Sequence, residues 1–114
     1  MEMYWYPKCS TCQKAYKHLK QKNIDVVLFD IVEQTPSIDQ LKQWIEWYGK
    51  GIKPFFNTAG KVYKEMGLKD RVNSLSIDEA CELLSSNGML IKRPLLIDNE
   101  QVIVGYKQEL YETL

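Results

Sequence analysis

The apolar positions of this chain change their period along its length, and each change marks an element. Residues 3–6 are short and aromatic-rich, the composition of a strand, and Pro7-Lys8 ends it. From Thr11 to about Gln21, Cys12, Ala15, Tyr16 and Leu19 recur at the spacing of one helical face. Lys14, Lys17 and His18 fall on other faces, so His18 is expected to be solvated. Asn23 marks the exit, and residues 25–30 (DVVLFD) read as a second, largely buried strand. Strand, helix and strand within so short a span predict a parallel pair with a right-handed crossover.

Turn residues Thr35, Pro36 and Ser37 follow, with Ser37 placed to cap a helix over residues 38–48. Leu41, Trp44, Ile45 and Tyr48 form its apolar stripe, and Gly49 and Gly51 end it. Asn57 or Thr58 is expected to cap a helix carrying Val62, Tyr63 and Met66, closed by Gly67. Ser76 and Glu79 have the spacing of a capping box at the head of a fourth helix, whose apolar face is Ile77, Ala80, Cys81 and Leu84. Asn87-Gly88 ends it. Leu95-Leu96-Ile97 and Val102-Ile103-Val104 flank the polar Asp98-Asn99-Glu100, a hairpin signal, and a short helix over residues 107–114 closes the chain. The predicted order is β-α-β, three helices, then β-β-α, an α/β chain. Its 114 residues suggest one domain spanning 1–114.

Composition narrows the function classes. The chain is 45% apolar and 26% charged, enough to build a packed core rather than a disordered segment. Fifteen basic side chains balance fifteen acidic ones, so no electrostatic footprint for nucleic acid or an anionic membrane is visible. No apolar run approaches the roughly 18 residues that span a bilayer. Residues 1–7 lack the basic region and apolar run of a secretory signal, so a cytoplasmic location is expected. Three cysteines, an odd number, argue against a secreted disulfide scaffold.

Two of those cysteines form the motif Cys9-Ser10-Thr11-Cys12 between a predicted strand and a predicted helix. A sulfur at a helix N-terminus faces free N–H groups and the positive end of the helix dipole, which stabilise a thiolate. Lys8 adds a nearby charge. Cys12, one turn on and on the apolar face, is less exposed and within reach of Cys9. The roles follow: Cys9 attacks, and Cys12 resolves the mixed disulfide. The same motif can be half of a zinc site, but that needs further ligands, and only Cys81 and His18 remain, so no metal is called for. Cys81 lies on an apolar stripe and reads as core. Tyr4, Trp5, Tyr6, Trp44, Trp47 and Tyr48 read as core or core edge, with Trp47 also a candidate surface contact. Pro94, after Arg93, reads from sequence alone as the start of a strand.

WYPKCSTCQKA near the start, FFNTAGKVYKEMGLKD in the middle, and GMLIKRPLLID with VGYK near the end resemble the arsenate reductase (ArsC)/Spx family over essentially the whole chain. The resemblance implies a thioredoxin-like fold with a helical insert between its halves. It also implies that Pro94 is cis and faces the redox cysteine, with Arg93 near the sulfur. Catalytic residues carried over are Cys9, Cys12, Arg93 and Pro94. The family's arsenate reductases hold their oxyanion with three arginines. Arg93 matches one, Ala59 stands where another falls, and Val104-Gly105-Tyr106 has none. The whole chain has only Arg71 and Arg93, so arsenate reduction is not expected. The first expectation is a thiol–disulfide oxidoreductase that needs no resident cofactor, exchanging with a thiol or disulfide protein or with glutathione as electron donor. The alternative is an Spx-like, redox-switched regulator that binds the RNA polymerase alpha subunit. The Cys9-Ser10-Thr11-Cys12 motif and Lys92-Arg93-Pro94 are the points of likeness to Spx, and Gly49-Lys50-Gly51-Ile52 lies roughly where Spx carries a glycine that serves that contact.

Overall fold

The computed structural model describes residues 1–114. Its first elements are β1 (Glu2–Trp5), α1 (Ser10–Gln21) and β2 (Val27–Asp30), with β2 parallel to β1 and Met3 opposite Leu28. Much later come β3 (Leu95–Asp98) and β4 (Gln101–Val104), an antiparallel hairpin turning at Asn99-Glu100, where Asn99 takes a φ of 54°. β3 pairs antiparallel with β1, so the sheet order is β2-β1-β3-β4. Apolar strands without polar alternation imply a sheet covered on both faces, and side chains alternate between those faces along each strand. Met3, Leu96 and Ile103 point to one face, where Ala15 and Leu19 of α1 and Tyr111 of α5 (Gln108–Glu112) cover them. Tyr4, Leu95, Ile97, Val102 and Val104 point to the other, under the helical insert of α2 (Ile38–Tyr48), α3 (Lys61–Glu65) and α4 (Ile77–Ser86). This is the expected α/β arrangement, two thioredoxin-like halves with helices between them.

Local chemistry sets the helix starts. Ser37 Oγ accepts from the Gln40 N–H at 3.1 Å and Gln40 Oε1 accepts from the Ser37 N–H at 3.0 Å. Ser76 and Glu79 make the same reciprocal pair at 3.1 and 2.9 Å. Each closes two N–H groups that a helix terminus leaves open. α2 ends where Gly49 turns left-handed at φ 72°.

Four expectations need correction. The second strand begins at Val27, not residue 25, and it is a sheet edge: Val27 is 57% exposed and its neighbours only half-buried. With no strand beyond it, its outer edge is left open. The third helix is capped by Gly60 rather than Asn57 or Thr58. The Asn57 N–H instead donates to the Leu90 carbonyl at 2.8 Å, tying the insert to the segment before β3. Ile77 leaves the core, 52% exposed, because it opens α4 ahead of the turns that pack. His18 is 7% exposed rather than solvated. α5 folds back on α1, and His18 Nε2 meets Glu112 Oε1 at 2.5 Å while Nδ1 meets the Tyr106 hydroxyl at 2.6 Å. A carboxylate can only accept, so Nε2 donates to Glu112, while Nδ1 pairs with the Tyr106 hydroxyl.

Candidate active site

β1 stops at Trp5 because the chain must turn into α1. The Cys9 N–H donates to the Tyr6 carbonyl at 2.9 Å, and the Gln13 side chain donates to the Pro7 carbonyl at 2.8 Å, closing the loop over the helix start. Cys9 is the N-cap residue, extended at φ −90°, ψ 121°, and its carbonyl accepts the first helical bond from the Gln13 N–H at 3.0 Å. Its side chain is half-buried and makes no capping hydrogen bond of its own. Cys12, in the first turn, is fully buried, and the Tyr6 N–H reaches its Sγ at 3.5 Å.

Arg93 comes to this site from the far half of the chain, just before β3. Its peptide bond to Pro94 is cis, and Pro94 is buried. The guanidinium carbon stands 5.2 Å from the centre of the Tyr6 ring, a cation–π distance. Arg93 Nε and Nη1 are buried without a hydrogen-bond partner. Unpaired charged donors beside a thiol favour whatever anion forms there.

The two sulfurs are driven apart electrostatically. Burial works to raise the Cys9 pKa, but the Cys12 amide, the Cys12 thiol and the Arg93 guanidinium, all donors toward its sulfur, together outweigh it and hold the thiol below its ordinary value. For Cys12, burial dominates, the Tyr6 N–H opposes it, and a thiolate at Cys9 adds repulsion, so its pKa is pushed up to about 12. The cation acting on Cys9 is thus Arg93; Lys8, expected from sequence to share that role, is exposed to solvent instead. Geometrically the pair is a half-accessible sulfur suited to attack, with a protonated sulfur held one turn behind it.

The structure brings Cys9, Cys12 and Arg93 together, with Pro94 next to Arg93 in the chain. Cys81 does not join them: it is buried on α4 in the insert-side core. Arg71 is exposed, and its Nη1 donates to the Met66 carbonyl at 3.3 Å, in a shallow pocket with Glu79 and Glu82. Ala59 is exposed, and Gly105 is held to the Pro94 carbonyl by its N–H at 2.8 Å. Sequence reasoning missed Tyr6, which serves the site twice, through its N–H on Cys12 and its ring under Arg93; its position at the end of an aromatic run signalled only a strand. Tyr111 was also missed. Its hydroxyl is buried without a partner, and burial, then the charges of Cys12 and Tyr106, push its pKa up.

A family model described as the ArsC family matches residues 4–114. YusI of Bacillus subtilis is 47% identical over 112 residues, 98% of this chain and 95% of YusI. The global transcriptional regulator Spx of Bacillus subtilis is 28% identical over 107 residues, 94% of this chain and 80% of Spx. A solved ArsC-family-related protein from Bacteroides fragilis superposes with a TM-score of 0.94 at 43% identity, covering 98% of this chain and 94% of that one.

Proposed function

The chain belongs to the ArsC family, and from that premise we propose that it is a thiol–disulfide oxidoreductase with Cys9 as nucleophile and Cys12 as resolving thiol. The observation that carries this reading is the opposed pair: a half-accessible N-cap sulfur held toward thiolate, and a buried sulfur one turn away held toward thiol. The Cys9 thiolate attacks one sulfur of a substrate disulfide, the S–S bond breaks, and the other substrate sulfur leaves as a thiolate that takes up a proton. Cys9 is then neutral in a mixed disulfide. The repulsion it exerted on Cys12 is gone, while the pull of Arg93 on Cys12 remains, so Cys12 loses its proton more readily at this stage than before it. The Cys12 thiolate attacks the Cys9 sulfur, forms the Cys9–Cys12 disulfide and expels the second substrate sulfur. Two electrons have passed from the dithiol to the substrate. Two glutathione thiols, or the dithiol of a thioredoxin-type protein, return them. Such a cycle belongs in a reducing cytoplasm.

The test is a trap. Cys12→Ser should accumulate a mixed disulfide between Cys9 and its protein substrate, detected by nonreducing electrophoresis of an extract, and Cys9→Ser should not. Equal yields from the two variants would overturn the assignment.

A second reading rests on the 28% identity to Spx across 94% of the chain. In it the same disulfide is a switch on a regulator that binds the RNA polymerase alpha subunit. The readings separate cleanly: many turnovers of a small disulfide per chain support the enzyme, whereas oxidation-sensitive binding to the alpha C-terminal domain without turnover supports the regulator.

A further inference from the structure

A groove of about 560 Å³ that the chemistry above does not use includes Lys92, the residue before Arg93, in its lining. Its rim carries Lys50, Lys53, Lys92 and Lys107, and no carboxylate lines it. The chain as a whole is neutral, with 15 basic and 15 acidic groups, so the concentration of one sign here is a product of the fold. The four lysines come from four separate places: after α2, in the 3-10 turn Lys53–Phe55, just before Arg93, and at the N-cap of α5. None is in an ion pair, although Lys22, Lys42 and Lys61 each find a carboxylate elsewhere. Lys50 lies over the Tyr48 ring at 5.5 Å, and all four are exposed. The floor is apolar, formed by Pro54, Phe56 and Val104.

We propose that this groove docks an acidic polypeptide segment next to the disulfide of the protein that Cys9 attacks, an inference that rests on the thiol–disulfide reading and names its substrate class. A cleft of one sign with low-dielectric walls concentrates oppositely charged partners and raises their encounter rate. Position ties the groove to the chemistry. Lys92 directly precedes Arg93, and Val104 pairs with Leu95, the residue after Pro94. A segment lying in the groove therefore passes the turn whose arginine acts on Cys9. The occupant is a peptide rather than a small anion because the cations stand on long stems spaced around an apolar floor. That arrangement suits several carboxylates with apolar side chains between them, whereas a compact anion needs convergent donors.

The experiment uses the full reduced chain and three short synthetic peptides. Each has one cysteine activated as a neutral pyridyl disulfide, flanked by Asp/Glu, by Ser/Gln or by Lys. Thiopyridone release gives second-order rates, each divided by the rate with dithiothreitol to remove intrinsic peptide reactivity. The acidic peptide should react about tenfold faster than the neutral one at low salt, and the advantage should vanish near 1 M salt, where the screening length is about 3 Å. Lys53→Glu/Lys107→Glu should bring the acidic-to-neutral ratio to about one or below and make the lysine peptide the preferred one. Equal rates for the three peptides with the unmodified chain would overturn the proposal while leaving the oxidoreductase reading intact. A second arm titrates the Cys9→Ser chain with the same peptides carrying Ser for Cys. If no peptide releases thiopyridone, the oxidoreductase reading fails, and this arm still judges the groove: tighter binding of the acidic peptide supports it, equal binding overturns it.

Discussion

Cys9 and Cys12 are the same side chain three residues apart, yet their environments push them in opposite directions. Cys9 has donors and a guanidinium around it; Cys12 has burial. A thiol whose folded pKa is lowered carries its thiolate at a pH where an ordinary cysteine, at about 8.5, is still protonated. Alkylation of Cys9, read in Cys12→Ser, should therefore persist as pH falls below that value and die away only at the lowered pKa. Cys12, read in Cys9→Ser, loses the repulsion of its partner but keeps its burial, so it should react about tenfold or more slowly near neutral pH. Iodoacetamide rates against pH check both. Matching profiles for the two sulfurs would mean that the assigned roles are wrong. Arg93→Ala should shift the Cys9 profile upward, since it removes the one cation acting there. At this scale the motif, and the place of Cys9 at the helix N-cap, were legible in the chain. The arginine was not legible from spacing, because 84 positions separate Arg93 from Cys9. Only likeness to known sequences brought it in.

Elements were legible where their signals are local. Ser37 caps α2 and the Ser76–Glu79 box opens α4 as the sequence predicts, because a cap needs nothing beyond its own first turn. Elements whose fate depends on a distant partner were misread. His18 looks outward on a wheel of α1 alone and is buried only because α5, 94 positions away, folds across it through Glu112. Gly88 shows the same dependence. A Cβ built there would stand 2.1 Å from the Ile31 carbonyl oxygen, so the end of α4 sits directly on the backbone that leaves β2. Gly88→Ala must push that backbone aside and should cost about 1–3 kcal/mol, in the range of overpacked cores. Urea unfolding followed by tryptophan fluorescence measures it. An unchanged midpoint would show that the contact relaxes freely.

Across the whole molecule, what matters for an oxyanion is where its few arginines lie. Arsenate must bring negative charge to a thiolate, and preorganised guanidinium forks offset that repulsion. Here Arg93 is at the site, while Arg71 is committed to the Met66 carbonyl beside the acidic first half of α4. Loss of one preorganised donor commonly costs about 10²–10³ in rate, so two missing arginines should leave arsenate turnover near the blank. NADPH-coupled assays with glutathione and glutaredoxin, against Cys9→Ser, measure it. Turnover matching an established reductase of this fold would refute the argument from arginine placement.

By itself the sequence determined the local things: the strand and helix periods, the two capped helix starts, the hairpin, and a cysteine pair at a strand-to-helix turn. These follow from interactions within a few residues, which a linear reading contains. The tertiary structure decided what long-range packing controls. It made β2 an edge, buried His18, set Arg93 rather than Lys8 beside Cys9 with Tyr6 beneath it, and gathered four lysines from four segments around one groove. Each of those depends on which distant backbone arrives alongside, and no local period along the chain encodes that arrival.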